Sequence, residues 1–164
     1  MTQTIQTHFR ATYHYELPPE LIHSIPLSGG GTILERLSLL SSLLVPSHSL
    51  VSQASHIFIT THSQGTPVSL LLLSSLIESG VIKPNQQRVT VLAMAGISHG
   101  PWPWLKTNLV MKYIEQDAGR ELFEMCDSNS QIGRAYTQAI EYVLSRGVRM
   151  VACGSWFDQV VPVS

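Results

Sequence analysis

Ser63 stands in the run Thr61-His62-Ser63-Gln64-Gly65, between the apolar, β-branched stretch His56 to Thr60 and a leucine-rich stretch that begins near Pro67. A strand that gives way to a helix at this point holds the serine on a sharp turn. A serine hydroxyl is a useful nucleophile only when a base takes its proton and nearby amides stabilise the oxyanion formed on attack. The turn supplies part of this. With Ser63 ending the strand, the Gln64 backbone amide opens the helix, and the helix N-terminus adds potential favourable to negative charge. Pro67 fits a first helical turn, whose amides have no intrahelical partner. A second candidate is Asp158, in the loop Gly154-Ser155-Trp156-Phe157-Asp158-Gln159-Val160-Val161-Pro162. By itself it reads equally as a turn aspartate bonding local amides.

Other chemistries find less support. Gly29-Gly30-Gly31 precedes a helix start and could cradle a phosphate, yet the lysine and hydroxyl residue of a P-loop do not follow, so nucleotide binding is not expected. No cluster of His, Cys, Asp or Glu has metal-ligand spacing, and no cofactor is implied. His62 precedes the candidate nucleophile, so its side chain should point away from it.

The elements that must position these residues alternate in type. Thr4 to Tyr15 mixes β-branched and aromatic residues and reads as a strand stopped by Pro18-Pro19. Thr32 and Glu35 form a capping box, and Leu34, Leu37, Leu40 and Leu44 follow at helical spacing, predicting a helix over 32–44 that Val45-Pro46-Ser47 closes. Strand His56 to Thr60, the serine turn and a helix to about Ser79 come next, with Gly80 as the stop. Arg88 to Ala95 reads as a parallel strand covered on both faces. Pro101, Trp102 and Pro103 keep 96–104 irregular, and one or two short helices are expected between Leu105 and Met125. Ile132, Tyr136, Ala139, Ile140, Val143 and Leu144 mark a last helix, ended by Gly147 before strand Val148 to Cys153. This order predicts an α/β fold, a parallel sheet with helices on both faces.

A chain of 164 residues with 44% hydrophobic and 13% charged content fits one domain, 1–164, with a substantial core. Ten basic against eleven acidic side chains, evenly scattered, leave no footprint for nucleic acid. The densest apolar stretch, Val68 to Ile77, is about half of the ~20 residues that cross a bilayer, so no transmembrane segment is expected. Met1 to Arg10 lacks the apolar core of a signal peptide. Cys126 and Cys153 have neither metal nor disulfide-framework spacing, and Cys153 reads as a small core residue; a reducing, cytoplasmic or other intracellular setting is the expectation.

The segment around Ser63 resembles the α/β-hydrolase superfamily, whose elbow is written G-x-S-x-G. Gly65 matches the second glycine, Ser63 the nucleophile, and His62 a position where histidine is frequent; Thr61 replaces the first glycine. Gly154 to Pro162 resembles the loop after the seventh strand, which implies that Asp158 orients the catalytic histidine. Tyr15-Glu16-Leu17-Pro18 looks like the end of the fourth strand and Met94-Ala95-Gly96 like the end of the sixth. The likeness is nearest to fungal proteins of the superfamily, where the runs around Ala95-Gly96 and Asp158 to Pro162 recur.

The resemblance implies a partial α/β-hydrolase fold, with strands like the fourth to seventh and without the first three or the eighth. It also implies a serine hydrolase acting on a small-molecule ester or other acyl bond, with Gln64 donating an oxyanion amide. A cap would fall within 97–127, where His99, Trp102 and Trp104 could line a pocket or lid. The superfamily order is serine, acid, histidine, and all seven histidines here precede Asp158. Residues 1–164 alone are therefore expected to turn over weakly or not at all. The alternative is a non-catalytic protein of the same fold with a binding role or no independent one.

Overall fold

The computed structural model describes residues 2–102 and 116–161. Its elements are helices α1 (Thr2–Tyr13), α2 (Ile33–Leu44) and α3 (His48–Gln53), strand β1 (His56–His62), helix α4 (Gly65–Glu78), strand β2 (Arg88–Met94), helices α5 (Gln116–Glu124) and α6 (Gln131–Ser145), and strand β3 (Arg149–Cys153).

The three strands form one parallel sheet in the order β1-β2-β3, with His56 opposite Arg88 and Thr90 opposite Arg149. Parallel neighbours need crossovers, and α4 and α6 lie in the two crossover connections. Helix α4 is apolar on nearly every side because it is enclosed: it packs on β1, α2 and α6, and Val68, Leu70, Leu72, Leu73, Leu76 and Ile77 are all buried. Val89 and Val91 of β2, Ile132, Tyr136 and Val143 of α6, and Ile33, Leu40 and Leu44 of α2 complete the core. Removing one of these large side chains costs about 2–5 kcal/mol.

Local signals in the sequence explain several ends. Thr32 caps α2 by accepting from the Glu35 amide while the Glu35 carboxylate accepts from the Thr32 amide, the reciprocal box expected from their spacing. Ser130 caps α6 by a single bond, its hydroxyl accepting from the Gly133 amide.

Three expectations are corrected. The stretch read as a strand over Thr4 to Tyr15 is helix α1, so the described sheet has three strands rather than four. Its β-branched and aromatic residues favour a strand only where a neighbouring ladder satisfies the backbone; lacking one, the segment bonds to itself as a helix. Phe9 and Tyr13, four apart, then meet at 5.2 Å between ring centroids.

The α/β class is as expected, a parallel sheet with helices packed on it; among the described residues those helices lie on one face. Strand order without a reversal, joined by crossovers of one hand, puts both crossover helices on the same face. Val89, Val91 and Ala93 are buried beneath them, whereas Phe58 and Val151 on the opposite face are 63% and 52% exposed. Arg88 to Ala95 is thus covered on one face rather than two. For the same reason Cys153, at the end of the outer strand β3, is exposed rather than a core residue.

Of the 97–127 stretch expected to hold a cap, residues 103–115, Trp104 included, lie outside the described residues. Helix α5 within it contributes Ala118 and Leu122 to the buried set, followed by Met125. No helix among the described residues is long and apolar enough to cross a membrane.

Candidate functional site

Ser63 occupies the junction between β1 and α4 with φ at 52°, in the left-handed region that L residues rarely enter. The surroundings over-determine that conformation. The Ser63 amide donates to the Met94 carbonyl at 3.0 Å, and its carbonyl accepts from the Thr66 amide at 3.1 Å and the Ile97 amide at 3.3 Å. The turn is thereby clamped to the end of β2 as well as to its own helix. Strain of this kind costs about 1–3 kcal/mol and persists only where neighbours enforce it.

Thr61, two residues before Ser63, is accommodated by a specific packing. Its side chain is buried, and its hydroxyl shares a hydrogen bond of 2.9 Å with the hydroxyl of Thr66, also buried. The room for Thr66 comes from Gly96: a Cβ there would lie 2.8 Å from Thr66 Oγ1 and 3.0 Å from its Cγ2. Gly65, by contrast, has nothing within 4 Å of where a Cβ would sit. Gly96, thirty-five positions downstream of Thr61, thus leaves the space that Thr66, the hydrogen-bond partner of Thr61, occupies. Sequence reading noted the Ala95-Gly96 pair but not what it packs against.

Gln64 precedes the first residue of α4, and its backbone amide makes no hydrogen bond among the described residues. It stands at the helix N-terminus, the position an oxyanion donor would need. Its side chain is held by Arg36, whose Nη1 donates to Gln64 Oε1 at 2.7 Å. Arg36 was missed in the sequence; its signal is a lone cation in a leucine- and serine-rich helix one turn beyond the glycine loop.

Asp158 lies in the loop after β3, at the same carboxyl edge of the sheet as Ser63. Its Oδ1 accepts from the amides of Val160 and Val161 at 2.8 and 2.9 Å. These two bonds hold the carboxyl below the usual carboxylate range; partial burial opposes them, and the nearby His62 imidazole lowers it further. His62 is exposed, on the strand face it shares with Phe58 and Thr60 by alternation. No hydrogen bond joins Asp158 to Ser63 or to a histidine among the described residues.

Trp102 ties the loop after β2 to the acid loop, its amide donating to the Val160 carbonyl at 3.0 Å and its indole N–H to the Asp158 carbonyl at 3.4 Å. His99 is exposed in the same loop as Ser98, whose hydroxyl is 3.0 Å from that of Tyr136. Among the described residues no three His, Cys, Asp or Glu side chains converge as metal ligands would.

A parallel sheet with a serine on a strained turn between strand and helix is the architecture of the α/β-hydrolase fold. The family model of the YMC0/YMC35 alpha/beta hydrolase domain matches residues 7–164, and the chain belongs to that family. Comparison with curated proteins and with solved structures found no match.

Proposed function

We propose that the chain carries the nucleophile and acid of a serine hydrolase acting on an ester or related acyl bond. The observation that supports this most is Ser63 at φ 52° on the β1–α4 junction. Strain enforced by three backbone hydrogen bonds holds a half-buried serine at the carboxyl edge of a parallel sheet. In this reading Ser63 Oγ attacks the acyl carbonyl, the C–O bond to the leaving group breaks through a tetrahedral intermediate, and the Gln64 amide donates to its oxyanion. Asp158 would orient a histidine through Oδ2, its Oδ1 being committed to Val160 and Val161.

No described histidine is bonded to Ser63, so in this reading its proton would pass to water, water would protonate the departing alkoxide, and acylation would be slow. A triad stripped of one member still retains roughly 10³–10⁴-fold over water through the oxyanion site and binding. Slow but measurable acylation is the expectation. His99 and Trp102 would border the acyl pocket. The sparse cysteines fit a reducing, intracellular compartment.

The same Asp158 bonds favour a second reading, in which the aspartate is a turn residue and the fold is non-catalytic, serving binding if anything. Exposure to a fluorophosphonate probe, with the adduct located by mass spectrometry and Ser63→Ala alongside, separates the two. Slow labelling confined to Ser63 and abolished by the alanine supports the hydrolase. A folded chain that never labels refutes it and leaves the non-catalytic reading.

A further inference from the structure

The Arg36 guanidinium spans two segments that are remote in sequence. Nη1 donates to Gln64 Oε1 at 2.7 Å, across 28 residues. On its other side Nε donates to the Gly29 carbonyl at 2.7 Å, and Nη2 bonds the same oxygen. One side chain thus fastens the glycine loop 28–31 to the first residue of the elbow after Ser63.

Two further features set this contact apart from ordinary surface polarity. Gln64 Nε2 is buried and makes no hydrogen bond among the described residues. An unpaired buried donor is costly, so the Gln64 side chain sits where Arg36 holds it rather than where its own nitrogen would be satisfied. Secondly, no carboxylate lies within ion-pair distance of Arg36 among the described residues. Both acceptors are neutral oxygens, so among the described residues the guanidinium is held by hydrogen-bond geometry rather than by an ion pair. Only arginine fits this task, since its planar fork reaches two acceptors in fixed geometry where a lysine offers a point charge on a flexible stem.

We propose that Arg36 is a positioning residue of the elbow: through Gln64 it fixes the backbone amide that receives the oxyanion, and through Gly29 it holds the 28–31 loop against the same site. The inference rests on the serine-hydrolase reading above. Arg36 touches no reacting atom, so its removal should change the rate of acylation rather than the affinity for the probe.

The test uses the full chain and a fluorophosphonate at several concentrations, which separates the first-order labelling constant from the half-saturating concentration. Arg36→Met should lower the first-order constant about 10-fold, the scale on which small misplacements act, and leave half-saturation within about 2-fold. Arg36→Lys should recover part of the loss. Arg36→Ala should regain rate when millimolar ethylguanidine, well below denaturing concentration, refills the vacated position. A labelled wild type with an unaltered constant in Arg36→Met overturns this inference alone. So does a loss that neither lysine nor ethylguanidine restores and that follows the fall in thermal midpoint, because the role would then be structural. A wild type that does not label removes the hydrolase reading and this inference together.

Discussion

Ser63 can be altered in two ways that remove the same hydroxyl and differ only in the backbone. Alanine at 63 keeps a Cβ at φ 52°, whereas glycine adopts that conformation freely. An L residue in the left-handed region loses roughly 1–2 kcal/mol, and glycine gives back roughly 0.5–1 through the greater freedom of its unfolded chain. Ser63→Gly should therefore be more stable than Ser63→Ala by about 0.5–1 kcal/mol. For a domain of this size that is a rise of about 2 °C in melting temperature, or about 0.4 M in urea midpoint at a slope near 2 kcal/mol/M. The Ser63 hydroxyl makes no hydrogen bond among the described residues, so Ser63→Ala should lie within about 0.5 kcal/mol of the wild type. Urea unfolding of the three proteins, followed by circular dichroism, measures all of this. A glycine variant no more stable than the alanine variant, at equal slope, would show that the turn is unstrained and would remove the main physical support for a nucleophile elbow. Neither variant carries a hydroxyl at residue 63, so both also serve as non-labelling controls for the proposed nucleophile.

Three more outcomes follow from the same contacts. Gly96→Ala drives a Cβ to 2.8 Å from the buried Thr66 hydroxyl and should cost about 1–3 kcal/mol in urea unfolding. Adding Thr66→Ala should recover part of that cost, and strictly additive losses would contradict the packing. Glu121, buried with its carboxylate accepting from the Ile33 amide at the start of α2, has its pKa raised by burial, which the Ile33 and Leu34 amides only partly offset while Glu124 and Glu35 add repulsion. The unfolded chain then loses this proton first, so stability falls as pH climbs from the ordinary carboxylate value through the raised one. Glu121→Gln, which can still accept from Ile33, should abolish that fall; wild-type and variant stability profiles that run parallel from pH 4 to 8 would refute the assignment. Asp158 has the opposite sign: its lowered pKa gives stability that is present above the ordinary carboxylate value and lost as pH drops through the depressed one. Asp158→Asn should flatten the acid limb of the unfolding profile, and an unchanged limb would mean that the Val160 and Val161 bonds do not discriminate between charge states.

Much of the site's frame was legible because it is encoded within a few residues. A threonine three positions before a glutamate is enough to build the cap of α2, since both hydrogen bonds close inside one turn. Apolar spacing marked α6, a leucine-rich run between Pro67 and Gly80 marked α4, and the strand-to-helix switch at Ser63 was legible as a turn. The strand expected over Thr4 to Tyr15 failed because β propensity describes a fit to neighbouring strands, and none is paired with this segment, which forms α1 instead. Arg36 escaped notice because nothing near it in sequence tells which carbonyls its fork will meet.

The sequence alone determined the alternation of strands and helices from β1 to β3, the cap of α2, and the serine on its turn, all set by local hydrogen bonding and by the periods of 2 and 3.6 residues. Tertiary structure decided the rest: a sheet covered on one face among the described residues, the packing of Gly96 against Thr66, the Arg36 clasp on Gln64, and His62 beside Asp158. Each of these joins residues far apart in the chain. Such contacts depend on strand order and crossover hand, which bring distant side chains together only after the sheet has formed.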